Sequence, residues 1–516
     1  MCMRHTESTE GWTAVTFRLP MIALWVLGVA LLAAGCGGDS RIAGREPMEN
    51  VATVESNTDA LRAWVVAKAK VDALVHIDIA DDIQVFPAAL QESMKNAADH
   101  LERGNVGVLD QIVSYIESRG IVNLGYDAGL FNRVIWVTPA QVSMGQLPIE
   151  NYKNFLMTRR GFPDYEIKDF VSTGKYITGT LVGIPITITT LEDLDAGEDE
   201  VILDIDLAYF LGKKSLDPTY RTGTRATLQF VRDLRVKNLR TRIATIHLAT
   251  GANDNPMDIR YFGSIIAEGL RNPEKLQPPV FEKWTMMMEA EDSLVAGHYG
   301  GAAALYGNLV KTYPTDPGLY FTLGVTRGFN GEGTESRDAL LQAFRLDSAY
   351  LRAFFQLANI LAVQDKVEAG IEIIDTPELG KIMSDVELNF QRGTFYLNAK
   401  RPYDALTYLK KVVQVRPDDF ALQTVMYQAY RQADDVPQMM LTLEKLRNMD
   451  EGRVRRDMPW VYKELGRLYE EATLYKNAME SYERYLAVVP DDENKDEIRG
   501  KIESWRALYD RTGSDR

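Results

Sequence analysis

From residue 283 onward the chain repeats itself. Equivalent positions open at 283, 317, 351, 386, 420 and 459, giving spacings of 34, 34, 35, 34 and 39 residues. A period of that length holds one supersecondary unit, two helices and a turn. No single helix pair buries its own apolar face, so the copies must stack and share a core. After Pro490, Ile498, Ile502, Trp505 and Leu508 recur at spacings of four, three and three, the pattern of a last helix covering the final copy.

The copy beginning at Pro459 places Tyr462, Leu465-Gly466, Tyr469, Ala478, Tyr482 and Pro490 where tetratricopeptide repeats carry their signature residues. Copies from Val386 (Gly393, Tyr396, Ala405, Pro417), Pro317 (Tyr320, Leu323-Gly324, Ala343) and Lys283 (Ala290, Ala302, Tyr306, Pro314) follow it. The second half therefore resembles a solenoid of six such repeats, 283–316, 317–350, 351–384, 386–419, 420–453 and 459–492, with a capping helix over 493–510. In this register Gly466/Ala478 and Gly393/Ala405 sit where antiparallel helices approach closely, and Tyr469 and Tyr482 fill the gap between them. Two copies are weaker: Gly370 and Met439 replace the small alanine, and Glu451 replaces the proline. The resemblance implies a concave groove, lined by the first helix of each pair, that binds peptide segments of partner proteins. Its positions include Phe390, Thr394, Asn398, Lys463 and Arg467, each of which also reads as an ordinary solvated helix face.

At the other end, residues 21–35 form an apolar, uncharged run preceded by Arg4 and Arg18 and followed by Cys36. Fifteen residues are too few to span a bilayer and suit the core of a signal peptide. The run Leu32-Ala33-Ala34-Gly35-Cys36 resembles the lipobox of bacterial lipoproteins, with Ala33 where a bulky aliphatic residue is usual. The resemblance implies removal of 1–35 and lipidation of Cys36. The chain has two cysteines, so cleavage after residue 35 leaves no second thiol for a disulfide. Residues 36–56 are polar and read as a flexible tether. The expected address is the cell envelope, lipid-anchored, and Gly37 and Gly38 after the cysteine favour the periplasmic face of the outer membrane.

Between these segments, 57–280 does not repeat. Short β-rich runs at 73–78, 134–137, 184–189, 201–206 and 243–247 alternate with amphipathic helical stretches at 61–70, 108–118, 226–239 and 258–270. Such alternation predicts an α/β domain with a largely parallel sheet and a ligand site at the strands' carboxyl ends. Two acidic clusters fall there. Asp78 and Asp82 follow the strand that carries His76, and Asp204 and Asp206 share one strand face through the period of two. Carboxylates from two strand ends can hold a hard divalent cation, and they read equally as solubilising or capping acids.

The segments 57–64, 75–83, 123–139 and 201–210 together resemble an uncharacterised branch of the arginase/deacetylase (ureohydrolase) fold. That resemblance implies a binuclear manganese centre built from an Asp-x-His-x-Asp motif, an Asp-x-Asp motif and an upstream histidine. Asp78, Asp82, Asp204 and Asp206 match its carboxylates, so these four are expected to converge. Ala80 and Thr58 stand at its histidine positions, and Ala208 replaces an expected acid. His247, on a later strand, could supply a ligand but reads more simply as a strand residue. The site is thus expected to be a remnant, holding no cofactor or at most a Mn or Mg ion. No G-x-S-x-G elbow, P-loop or H-E-x-x-H motif offers another chemistry.

Composition trims the remaining classes. Lys+Arg 58 against Asp+Glu 73 gives a net charge of −15, which removes the basic footprint that nucleic-acid binding needs. Five histidines and two cysteines exclude Cys-rich zinc modules. Two functions remain open: a membrane-anchored, non-catalytic scaffold that binds proteins through its repeats, and a metal-dependent hydrolase of C–N bonds whose repeats recruit partners.

Overall fold

The computed structural model describes Ile42 and residues 45–512, except 117–119, 140–148, 150–152, 154–155, 158–161, 217–219 and 249–256. The apolar run 21–35 and Cys36 lie outside the described residues. Among the described residues, no helix is long and apolar enough to cross a membrane.

Eight strands build one mixed sheet: β1 (Val51–Val54), β2 (Ala73–Ile77), β3 (Arg133–Val137), β4 (Val171–Ser172), β5 (Ile177–Leu181), β6 (Ile184–Thr189), β7 (Glu200–Asp206) and β8 (Arg240–His247). Their spatial order is β1-β8-β7-β2-β3-β6-β5-β4. The pairings from β1 through β6 are parallel, and β5 and β4 add an antiparallel edge. Helices cover both faces, as parallel strands require. Asn57–Val66, Ala88–Glu102, Leu109–Ile116 and Ile121–Asp127 lie on one side, and Ala208–Leu216, Thr224–Val236 and Phe262–Arg271 on the other. Along β2 the period of two sends Ala73, Val75 and Ile77 to the second face and Leu74 to the first.

One expectation needs correction. The tether predicted over 36–56 is shorter, because β1 pairs in parallel with β8, Val51 opposite Ala244 and Val54 opposite His247. Met48 N–H also bonds to the Leu270 carbonyl at 3.0 Å. Two buried valines at the ends of a four-residue strand were masked in the sequence by their polar neighbours.

Beyond residue 281 the chain folds as six helical hairpins: Glu282–Val295 with Tyr299–Thr312, Pro317–Phe329 with Gly333–Leu346, Leu351–Val363 with Val367–Ile374, Asp385–Asn398 with Pro402–Val415, Phe420–Gln432 with Val436–Met449, and Trp460–Glu471 with Tyr475–Val488. Lys495–Thr512 packs over the last pair, burying Ile498 and Ile502. Each hairpin turn contains one residue in the left-handed region, fourteen places after its repeat opens: Gly297, Gly331, Asp365, Lys400, Asp434 and Thr473. A shared backbone device at a shared register makes this a helical, tetratricopeptide-like solenoid on the chain's own geometry. The two weaker copies still form hairpins. At Gly370 a Cβ would lie 2.7 Å from the Phe395 ring of the next hairpin, so glycine replaces alanine because an aromatic ring takes the space. The proline missing at 451 is replaced by a short extra helix, Glu451–Asp457.

The solenoid does not hang free of the sheet domain. Trp284, Met287, Tyr306, Leu309 and Leu319 of the first two hairpins share one apolar core with Phe210, Phe230 and Phe262. Around it, Arg260 bonds to Glu55 at 2.9 Å and to Asp347 at 2.9 Å. Glu291 accepts from Thr224 N–H at 2.9 Å and from the Tyr261 hydroxyl at 2.8 Å.

Candidate functional site

The polar cluster is a product of strand register. Side chains on one face of adjacent strands stand side by side, and the pairing aligns Trp136 of β3, His76 of β2, Asp204 of β7 and Thr245 of β8 in one row. Asp206 pairs with His247 in the next row toward the carboxyl end, where Asp78 continues β2. The chain runs outward from β2 through β3 to β6 on one side, and from β7 to β8 on the other. The carboxyl ends of β2 and β7 therefore flank the point where connections diverge, the usual crevice of an open parallel sheet.

Asp204 is the hub. Its Oδ2 lies 3.0 Å from His76 Nδ1. Its Oδ1 lies 2.8 Å from His247 Nε2 and accepts from the Thr245 hydroxyl at 2.5 Å. Thr245 in turn accepts from Trp64 Nε1 at 3.0 Å. Past the strand, Trp136 Nε1 donates to the Asp78 carbonyl at 2.9 Å and the Asp78 carboxylate accepts from Ile79 N–H at 2.6 Å. Asp206 Oδ1 accepts from Ala208 N–H at 2.7 Å. Asp82 holds a left-handed backbone, φ 47°, and its Oδ2 lies 3.9 Å from His76 Nε2. Asp78 Oδ2 lies 3.8 Å from the same nitrogen. His76, Asp78, Asp82, Asp204, Asp206 and His247 are all buried.

Burial drives the electrostatics and the partners redirect it. For His76 burial alone lowers the pKa, but the bond to Asp204 and the charges of Asp204, Asp82 and Asp78 overcome it and raise the value to about 10. His247 rises to about 9 for the same reasons, with Asp204 foremost among its partners. Asp204 goes the other way: burial opposes its ionisation, yet His247 and His76 hold it well below the usual carboxylate range. Burial, then Asp206 and Asp82, push Asp78 well above that range. Burial also raises Asp82, against the pull of His76.

The four expected aspartates thus gather in one crevice with two imidazoles. His247 is the last residue of β8, as read, and also contacts Asp204, and His76, left outside the expected set, stands at the centre. The available signal for His76 was its place two residues before Asp78, on the same strand face. Asp204 and Asp206 do not join the group whose ligand atoms lie within 4.8 Å of one another, which is His76, Asp78 and Asp82. The residues present do not fit the binuclear centre that the resemblance implies. Ala80 has no ligand atom, Thr58 supplies a hydroxyl where an imidazole is needed, and both Asp204 oxygens already face imidazole or hydroxyl partners.

In the solenoid, the expected groove positions divide. Phe390 is half-buried against the core, and Thr394 bonds back to the Phe390 carbonyl at 3.0 Å. Asn398 is exposed and its Nδ2 donates to Asn359 Oδ1 of the preceding hairpin at 2.8 Å. Lys463 and Arg467 are not spare cations: Lys463 pairs with Asp492 at 2.9 Å, and Arg467 with Glu464 at 2.7 Å and Glu471 at 2.5 Å.

No family model matches the chain, and no curated protein does. Similar solved structures match part of the chain. The tetratricopeptide protein YrrB, described as having an unusual peptide-binding site, is 15% identical over 38% of this chain and 97% of its own, with a TM-score of 0.27. PilF of Pseudomonas aeruginosa is 13% identical over 42% of this chain and 97% of its own, TM-score 0.25. The type IV pilus biogenesis factor PilW is 12% identical over 42% and 97%, TM-score 0.27. The class defined by the chain's own hairpins is a tetratricopeptide-like solenoid continuous with an α/β domain.

Proposed function

We propose that the chain is a lipid-anchored, non-catalytic scaffold of the bacterial cell envelope that holds partner proteins along the first helices of its solenoid. The observation carrying this reading is the regularity of the six hairpins: stacked first helices present a continuous face, on which Asn359 and Asn398 of successive hairpins join side chain to side chain. Amide side chains on such a face suit the backbone of an extended peptide segment. The anchor rests on the sequence, an uncharged run ending at Cys36, and so does the preference for the outer membrane. The test places a photo-crosslinking residue at Asn398, on the first-helix face, or at Tyr403, exposed on a second helix, in cells carrying the intact or Cys36→Ser chain. The expected result is a discrete crosslinked partner from Asn398 and none from Tyr403, with the Cys36→Ser chain leaving the membrane fraction. Equal crosslinking from both positions overturns the groove, and unchanged fractionation and maturation of Cys36→Ser overturns the anchor.

A second reading, a metal-dependent hydrolase of C–N bonds, is supported by the gathering of four aspartates around His76 and opposed by Thr58 and Ala80. Measurable amide or guanidine hydrolysis by the manganese-loaded chain, lost on Asp78→Asn, decides in its favour.

A further inference from the structure

We infer that the crevice at the carboxyl ends of β2 and β7 binds one first-row divalent ion, of the zinc or manganese class, through His76 Nε2, Asp78 and Asp82. This is independent of the scaffold reading and departs from the two-metal site that the resemblance implies.

The geometry carries the inference. His76 Nε2 is buried and has no hydrogen-bond partner, yet it lies 3.8 Å from Asp78 Oδ2 and 3.9 Å from Asp82 Oδ2. Those separations are too long for hydrogen bonds. They match two ligand atoms of one ion, which at bonds of about 2.0–2.2 Å sit roughly 3–4 Å apart. A buried nitrogen without a partner, aimed between two carboxylates, is costly unless something joins the three.

The surroundings prepare the same nitrogen. Nδ1 of His76 faces Asp204 at 3.0 Å, so Asp204 fixes the ring and leaves Nε2 as the ligand, the carboxylate–histidine–metal arrangement of protein metal sites. Asp204 is itself held by Thr245 and His247, so it acts as a positioning residue. One imidazole among carboxylates selects a first-row ion over magnesium or calcium, which prefer oxygen alone. At the two histidine positions that the resemblance needs, Ala80 offers no ligand atom and Thr58 only a hydroxyl, and Asp206 Oδ1 accepts from the Ala208 amide.

The full chain, stripped of metal, is titrated with Mn²⁺ or Co²⁺. Stoichiometry is read by calorimetry, imidazole coordination by electron spin-echo modulation on bound Mn²⁺, and geometry by the visible bands of Co²⁺. The expected result is one ion per chain with one coordinated imidazole nitrogen. His76→Gln and Asp82→Asn should each weaken binding by at least tenfold, and Asp204→Asn by about 10- to 100-fold with a shifted Co²⁺ spectrum. Two spin-coupled Mn²⁺ ions, no imidazole modulation in the unaltered chain, or no binding at all overturns the inference. The spectroscopic readings need no variant to fold, and none of these outcomes depends on a partner protein or on the anchor.

Discussion

Glycine to alanine inside a helix should change sign with repeat register in this solenoid. Gly307 and Gly393 both lie within helices, Tyr299–Thr312 and Asp385–Asn398, and neither has a positive φ. Intrinsic propensity favours alanine at each by about 0.8–1 kcal/mol. At Gly307 a Cβ meets nothing within 4 Å, so Gly307→Ala should stabilise by about that amount. At Gly393 the Cβ would lie 2.5 Å from Leu409 Cγ and 2.6 Å from its Cδ2, with the Ala405 carbonyl oxygen at 3.4 Å. Leu409 is fully buried, so it must leave its rotamer or push the paired helix outward, costing roughly 1–3 kcal/mol. Set against the propensity gain, Gly393→Ala should be destabilising by up to about 2 kcal/mol. Urea unfolding followed by helical circular dichroism measures both, with hydrogen exchange in the two affected hairpins as a local readout. Equal stabilisation by both substitutions would refute the reasoning, because it would mean that position 393 is not the close crossing between paired helices.

Thr473 is β-branched and sits at φ 58°, a region costing an L-residue roughly 1–2 kcal/mol; glycine returns about 0.5–1 of that as chain entropy. Thr473→Gly should therefore raise the urea midpoint, and a lower midpoint would sink the strain argument. Burial raises the Glu291 pKa above its ordinary 4.5, against the bonds from Thr224 and Tyr261. A carboxyl raised on folding contributes stability that is full below the unfolded value and is lost as pH rises through the folded one. The stability of the chain relative to Glu291→Gln should therefore fall as pH climbs above 4.5, and a difference that stays flat or rises across that range counts against it.

Much of this architecture was legible because its signals are local. The repeat shows as spacing, and its close crossings as small residues at fixed offsets, Gly393 with Ala405 and Gly466 with Ala478. That Asp78 and Asp204 lie on or next to hydrophobic strands was also a local cue, but their convergence was expected only from the family resemblance. What local cues cannot give is register between strands far apart in the chain. His76 and Asp204 are separated by 128 residues, and only the pairing of β2 with β7 and β7 with β8 sets His76, Asp204 and Thr245 in one row. The role of Asp204 as an orienting group, and of His247 as its partner, is a property of that row. The strand at 51–54 was hidden for a related reason: its partner is β8, nearly two hundred residues away, and its polar flanks resemble a linker.

The core shared by the sheet domain and the first two hairpins bears on what each part of the chain can tolerate. A stacked-helix array has two open ends, and exposed apolar ends invite aggregation. Lys495–Thr512 closes one; the surface around Phe210, Phe230 and Phe262 closes the other, against Trp284 and Tyr306. The α/β domain is in this sense an end-plug, and that duty lies on the sheet face opposite His76 and Asp204. Substitution at Phe262 or Trp284 is therefore expected to open the array to other chains, and substitution in the crevice is expected to leave the plug intact.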